Sequence, residues 1–350
     1  MGLVPNTQPK DAAVLPIIPR SGRLAVSAVL VWLLAPAIAT SQESESQPAA
    51  APVDRAIAFL AREVQAWTAD KHCFSCHNNG DAVRVLYVAR RLGHDVDIEA
   101  LAPTTAWLAD PARWEEDTGD ETFKDKELAA IQFGSALLEA IELGIVPHEP
   151  ALMQAARSIA SFQDEDGAWR IDGSGLAGSP ITYGTALATS AARRVLVAAD
   201  RGMYAVEIAA TERWLRSAEL HSMPDLAGTL LALREATDQS AGAQRRRAFE
   251  KIAAGQNQNG GWGPFADRRP EAFDSAIVLV SLAAYAEQPE VRQMIQRGRA
   301  YLVDTQLEDG GWDETTRPAG AQSYAHRIST SAWATLALVL TEPKSKVTRQ

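Results

Sequence analysis

The chain has 350 residues, of which 46% are hydrophobic, 22% charged and 7% aromatic, which is the balance of a globular protein and excludes a disordered or collagen-like one. Its formal net charge of −10 argues against a nucleic-acid partner, because phosphate binding needs a basic face. It has two cysteines, Cys73 and Cys76, so it is not a disulfide-rich scaffold, and all its thiol chemistry lies in one four-residue stretch.

The N-terminal region has the pattern of an export signal. An uncharged apolar run at residues 24–39 follows Arg20 and Arg23 and ends in the small-x-small sequence Ala-Ile-Ala. It is shorter than the roughly 20 residues that a membrane-spanning helix needs. We therefore predict a signal peptide over residues 1–39, no membrane span in the mature chain, and a periplasmic or secreted location. An uncleaved anchor is the alternative, because the region before Arg20 is long for a signal.

The next residues have a polar, Pro/Ala-rich composition typical of a linker, which we place at 40–53. From residue 54 apolar residues recur at helical spacing, as in Ile57, Leu60 and Val64. This periodicity predicts a single domain over residues 54–342, followed by a polar tail at 343–350. Within the domain we predict six helical hairpins, at 54–93, 97–144, 148–199, 203–236, 243–287 and 289–342. Since a hairpin cannot bury its apolar face alone, the hairpins are expected to stack. Neither terminal hairpin is more polar than the others, which favours a closed ring.

Three of the loops inside these hairpins have the pattern Gln-x-x-x-Gly-x-Trp. The residues are Gln163, Gly167 and Trp169; Gln256, Gly260 and Trp262; and Gln306, Gly310 and Trp312. Glycine permits the positive φ that ends a helix. The glutamine amide is expected to satisfy backbone groups at a neighbouring helix end, and the tryptophan plane to cover that amide. We therefore interpret the pattern as a structural repeat.

This repeat resembles that of the squalene cyclase and protein prenyltransferase superfamily, the terpenoid cyclase-like α/α toroid. The resemblance is strongest in the second half of the chain, where residues 328–338 are similar to the inner helix that follows the motif in cyclases. It implies an all-α fold, an α/α toroid of about six helical hairpins with inner and outer helix rings around a central cavity. The fold does not by itself imply an activity.

The motifs that carry the superfamily's chemistry are incomplete. No Asp-x-Asp-Asp sequence, the acid of class II cyclases, occurs here. At the position resembling the prenyltransferase zinc motif, Asp274 is followed by Ala276 where the family has cysteine, although His326 matches the later histidine. We therefore expect neither activity. A pocket for an isoprenoid or another apolar ligand remains a hypothesis. Its candidate residues are Tyr183, Asp225, Asp274, Tyr324 and His326, which the hairpin pattern brings to one end of the ring.

The two cysteines belong to the sequence Cys73-Phe-Ser-Cys76-His77, the C-x-x-C-H pattern of c-type haem attachment. In that chemistry both thiols bind the haem vinyl groups and His77 is the ligand of the haem iron. An export signal agrees with this assignment. The alternatives are a disulfide, a zinc site with a further histidine such as His72 or His94, or chance. The sixth haem ligand is not identifiable, because the next methionine is Met153.

Three functions follow from these patterns. The first is an exported toroid that carries one haem c and acts with a redox partner protein in electron transfer or redox sensing. The second is an isoprenoid- or lipid-binding protein, or a prenyltransferase-like enzyme, that uses the central cavity. The third is a protein-binding scaffold. Whether the protein is an enzyme is left open.

Overall fold

Helical hairpins follow one another along the chain, each with an outer helix and an inner helix. The computed structural model describes residues 50–115, 126–147, 150–171, 177–315, 317 and 323–343. The outer helices are α1 (Pro52–Lys71), α3 (Ala102–Leu108), α5 (Ala151–Ser161), α7 (Ala205–Ser217), α9 (Gln239–Gly255) and α11 (Pro289–Asp304). The inner helices are α2 (Val83–Arg91), α4 (Lys126–Glu142), α6 (Thr185–Asp200), α8 (Met223–Ala232), α10 (Ala272–Leu282) and α12 (Tyr324–Leu340).

Short helices of other types flank some of these elements. A π-helix, Cys76–Ala82, leads directly into α2. 3-10 helices lie at Glu99–Leu101, Pro111–Glu115 and Ala283–Tyr285. The described part of the chain has no β-strand. π-Helical turns are rare and occur often at functional sites, and this one includes the second cysteine and the histidine of the C-x-x-C-H motif.

The inner helices form a closed ring. Each packs against the next in chain order from α2 to α12, and α12 packs against the π-helix and α2. The last inner helix is accordingly well covered, with thirteen of the seventeen residues of α12 buried. The prediction of an all-α toroid of about six helical hairpins is confirmed.

The Gln-x-x-x-Gly-x-Trp loops join neighbouring outer helices. Gln256 Nε2 donates to the carbonyl of Met294 in α11, at 2.9 Å, and to its own loop at Gly260. Trp262 Nε1 donates to the carbonyl of Ile252 in the last turn of α9, at 2.8 Å. The last four carbonyls of a helix have no donor within the helix. One of these carbonyls in α9 is therefore satisfied by the tryptophan of the loop, and not by the glutamine.

The other two motifs repeat this arrangement. Gln163 reaches Glu207 in α7, and Gln306 reaches Pro52 in α1. Trp169 and Trp312 bond the last turns of α5 and α11. The expectation that the glutamine satisfies the orphan groups is thus corrected: it donates to carbonyls near the start of the next outer helix. The third motif links the last hairpin to the first.

The described residues include no helix that is long and apolar enough to cross a membrane. The predicted signal peptide, most of the linker and nearly all of the polar tail lie outside the described residues.

Candidate functional site

The π-helix and the first turn of α2 place a charged pair in the interior of the ring. Asp81 is fully buried, and its carboxylate accepts hydrogen bonds from Tyr183 Oη and from Gln132 Nε2, the latter at 2.8 Å. Arg84 is 3.8 Å from Asp81 and lies 4.3 Å from the centroid of the Trp333 ring. Burial raises the pKa of Asp81, while Arg84 and the hydrogen-bond donors oppose the shift.

This cluster comes from elements far apart in sequence. Gln132 lies in α4, Trp333 in α12, and Tyr183 in the turn before α6 with a φ of 60°. Sequence reasoning singled out Tyr183 but missed Asp81 and Arg84. The signal for them was available: two opposite charges three residues apart within the otherwise apolar run that opens an inner helix.

Asp274 lies in the first turn of α10 and is held by an arginine. Both of its carboxylate oxygens accept from the Arg317 guanidinium, at 2.8 and 2.9 Å. Burial raises the pKa of Asp274 to about 6, although Arg317 lowers it. The same arginine donates through Nε to the carbonyl of Gly178, so it ties this helix to the loop that precedes Tyr183.

His326 is also tied to Arg317. Its Nε2 lies 3.0 Å from the Arg317 carbonyl, and its Nδ1 lies 2.7 Å from the hydroxyl of Ser323, the N-cap of α12. Asp274 and His326 thus meet at one arginine. No group of three or more potential ligands from His, Cys, Asp and Glu occurs among the residues that the structure describes.

Asp225 has a local role. With Ser222 it forms a capping box at the start of α8, in which each side chain bonds the backbone of the other residue. Its carboxylate also accepts from the backbone of His221. These bonds satisfy the Asp225 carboxylate within the protein, so the residue has a structural role that needs no bound ligand.

The C-x-x-C-H residues lie at the N-terminal end of the inner helices, among aromatic rings. Cys73 and Cys76 are half-buried. His77 packs edge-on against Trp67, with ring centroids 5.0 Å apart, and against Tyr324, at 5.9 Å. Tyr324 stacks on Trp67 and donates to Asn78. Burial lowers the pKa of His77 to about 4, so its imidazole is neutral at neutral pH.

Several buried nitrogens around this motif have no hydrogen-bond partner among the described residues. They are Nε2 of His77 and the indole nitrogens of Trp67 and Trp114. A neutral imidazole with an unused Nε2 is a suitable iron ligand, and indole N–H groups suit the carboxylates of a haem. In their donor chemistry these residues are compatible with a covalent haem.

A cavity of about 650 Å³ lies toward the opposite end, at the C-terminal ends of the inner helices. Every inner helix contributes apolar residues to its walls, which are Val88, Leu138, Leu187, Leu231, Val280 and Leu336 among others. Charged residues, mostly arginines and glutamates, share the walls with them. Arg84 and Trp333 line it as well. The five predicted pocket residues belong to the first turns of inner helices or the turn before them, and none lines this cavity.

The comparisons with known proteins point to one fold. The family model described as squalene-hopene cyclase C-terminal domain matches residues 225–349. The squalene-hopene cyclase of Schizosaccharomyces japonicus (strain yFS275 / FY16936) is 37% identical to this chain over 19% of it. That match spans 13% of the relative's own length.

Solved structures give broader coverage at low identity. The type II terpene cyclase MstE from Scytonema, in its apo form, has a TM-score of 0.56 and 14% identity, over 82% of this chain and 96% of that one. The R337A variant of that cyclase, in complex with geranylgeranyl dihydroxybenzoate, has a TM-score of 0.56 and 13% identity, over 83% of this chain and 96% of that one. A possible GH105 family member from Salmonella enterica subsp. enterica serovar Paratyphi A has a TM-score of 0.52 and 11% identity, over 88% of this chain and 98% of that one. At these identities the likeness shows the fold alone: the chain is an α/α toroid similar to terpene cyclases.

Proposed function

We propose that this protein is an exported redox protein whose toroid carries one covalent c-type haem, attached to Cys73 and Cys76, with His77 as iron ligand. The observation that supports it most directly is the buried, neutral imidazole of His77, whose Nε2 has no partner among the described residues. When bound, such a haem supplies one-electron transfer. We infer that a redox partner protein approaches the N-terminal end of the inner helices.

The chain's own residues would hold the group in place. The π-helix fixes Cys76 and His77 as consecutive residues on one rigid turn, and Ser75 caps that turn through the backbone of Asn78. Asn79 holds the same turn to the third helix through Thr104, at 2.9 Å. Trp67 would exclude water from the imidazole. Stacking of Phe74 on Trp107, at 4.7 Å, holds the segment between the two cysteines.

The test is production of the full chain with a cytochrome c maturation system. We expect a haem-stained band after denaturing electrophoresis, an alkaline pyridine spectrum of haem c, and the intact mass of one added haem. The variant with both Cys73→Ser and Cys76→Ser should lose all three signals. His77→Ala should change the spectrum of any attached haem, while His221→Ala, at an exposed site in another loop, should change nothing. Absence of covalent haem from the wild type, or one zinc ion per chain instead, would overturn the proposal.

The central cavity supports a second candidate function, the binding of an isoprenoid or other apolar ligand. The specific observation is its volume of about 650 Å³, within the 300–1,000 Å³ usual for small-molecule sites, together with the apolar side chains that every inner helix contributes to its walls. Organic extracts of the purified protein, analysed by mass spectrometry, are expected to contain an apolar compound in stoichiometric amount. Extracts with none, together with no binding of added prenyl compounds, would contradict it.

A further inference from the structure

At the inner part of the cavity, several buried hydrogen-bond donors have no acceptor in the described part of the chain. Arg84 is 5% exposed, and its Nε and Nη2 have no acceptor among the described residues. The indole Nε1 of Trp333, in contact with that guanidinium, also has none. Arg193, farther along the wall, has an unpartnered Nε. All of these unpartnered atoms are donors, and the carboxylates that line the cavity, Glu139, Glu142 and Glu235, lie toward its open end.

The arginines near the open end of the cavity differ from Arg84. Arg91 bonds Glu139 at 2.7 Å and Glu142 at 3.1 Å, and Arg194 bonds the same two carboxylates at 2.7 and 3.0 Å. These arginines also lie where the C-terminal ends of helices converge, and cations stabilise such ends. Their charges are therefore accounted for within the protein.

Arg84 has one nearby carboxylate, Asp81, at 3.8 Å, which is beyond hydrogen-bond distance. That carboxylate is already bonded by Tyr183 and Gln132. Nε and Nη2 lie on the same edge of the guanidinium, the edge that binds two oxygens of a carboxylate or phosphate together. A buried cation with two unpartnered N–H groups costs free energy of folding, which an anionic ligand would offset.

We propose that the cavity binds an amphiphile whose oxyanion head, a carboxylate or a phosphate, lies on Arg84 and Trp333. Its apolar chain then runs along Val88, Leu187 and Leu336 toward the open end. Residues 84 to 91 of α2 rise about 10 Å, so the head lies well inside the ring. This inference rests on the second candidate function, the cavity as a ligand site, and is independent of haem.

The test compares dodecanoate, dodecyl phosphate and methyl dodecanoate by calorimetric titration of the full chain, below the concentrations at which they aggregate. We expect at least one of the two anions to bind about tenfold or more tightly than the ester, and the better anion identifies the head group. Equal affinity of the ester and both anions would overturn the role of Arg84 while leaving an apolar cavity. No binding of any of the three would overturn the cavity function as well.

Two variants complete the design. Arg84→Gln should lower the affinity for the preferred anion about tenfold, to that of the ester, while affinity for the ester stays unchanged and so reports an intact cavity. Arg90→Gln, at an exposed site on the same helix, should leave all affinities unchanged. If Arg84→Gln does not fold, Arg84→Lys takes its place, since lysine keeps the charge but cannot present two N–H donors on one edge. Its affinity for the preferred anion should fall while that for the ester stays unchanged, and an unchanged affinity for the anion would overturn the role of Arg84.

Discussion

The side-chain amide of Gln306, in the last hairpin, donates to the backbone carbonyl of Pro52, at the start of the first helix, over a distance of 2.9 Å. The two residues are 254 positions apart in the chain. Arg55 in turn donates to Gln306 Oε1, so the contact is reciprocal. This bond closes the outer helices into a ring, as the packing of α12 on the π-helix closes the inner ones.

Gln306→Ala should therefore loosen the closure of the ring. We expect a loss of about 1 kcal/mol in the free energy of unfolding, the usual net value of such bonds, and faster amide hydrogen exchange in α1. Gln256→Ala removes the equivalent contact between α9 and α11, so it should cost a similar amount and leave exchange in α1 unchanged. Equal exchange in α1 for both variants would contradict a closing role.

A glycine next to this contact permits the close approach. Gly310 has a φ of 95°, and a Cβ there would lie 2.3 Å from the carbonyl oxygen of Arg55. Gly310→Ala should cost about 3 kcal/mol or more in urea unfolding, since it adds a backbone clash to the strain of positive φ. Gly144 has a φ of 82° with nothing within 4 Å of its Cβ position. Gly144→Ala should therefore cost about 1 kcal/mol. Similar losses for both would show that the approach to Arg55 is unimportant.

Tyr183 supplies one of the hydrogen bonds on which the buried Asp81 depends. Tyr183→Phe should destabilise the protein by about 2 kcal/mol, because a buried carboxylate loses a donor, and should raise the pKa of Asp81 further. Tyr204 makes only a 3.4 Å bond, to Met153. Tyr204→Phe should therefore change stability by less than about 0.5 kcal/mol in the same unfolding measurement. A loss in Tyr183→Phe no larger than this control would count against the buried network.

Asp274 links stability to pH. Its pKa is about 6 in the folded protein, raised by burial above the ordinary value of 3.8, so the folded state binds a proton more tightly than the unfolded one. The stability that this group contributes is thus fully present below about pH 4 and is lost as pH rises through about 6. The loss is about 3 kcal/mol at most, from 1.36 kcal/mol per pKa unit.

The measurement compares urea unfolding of the wild type and Asp274→Asn between pH 4 and pH 7. The free energy of unfolding of the wild type should fall relative to that of the variant across this range, because asparagine does not titrate. A difference that stays constant, or that grows in the opposite direction, would show that the Arg317 guanidinium keeps Asp274 ionised throughout.

The sequence by itself determined the helical hairpins and their loops. Apolar residues at helical spacing define them, and three glutamine–glycine–tryptophan loops place the repeat, because these signals are local in the chain. It also located Cys73, Cys76 and His77, because the C-x-x-C-H motif is defined by the spacing of these residues in the chain. It placed the glutamine amide at a neighbouring helix end but did not show which one, since no local pattern reveals that Gln306 bonds Pro52 at the start of the first helix.

Only the tertiary structure decided where the polar groups meet. Arg317 joins Asp274 to His326, two residues that the sequence suggested as candidates for a ligand pocket. Closure of the ring likewise brings Asp81 within hydrogen-bond distance of Tyr183 and places the Arg84 guanidinium over the Trp333 ring. The physical reason is that burial and the absence of hydrogen-bond partners are properties of the packed interior. They depend on residues tens to hundreds of positions apart, so they exist only after the inner helices have closed into a ring.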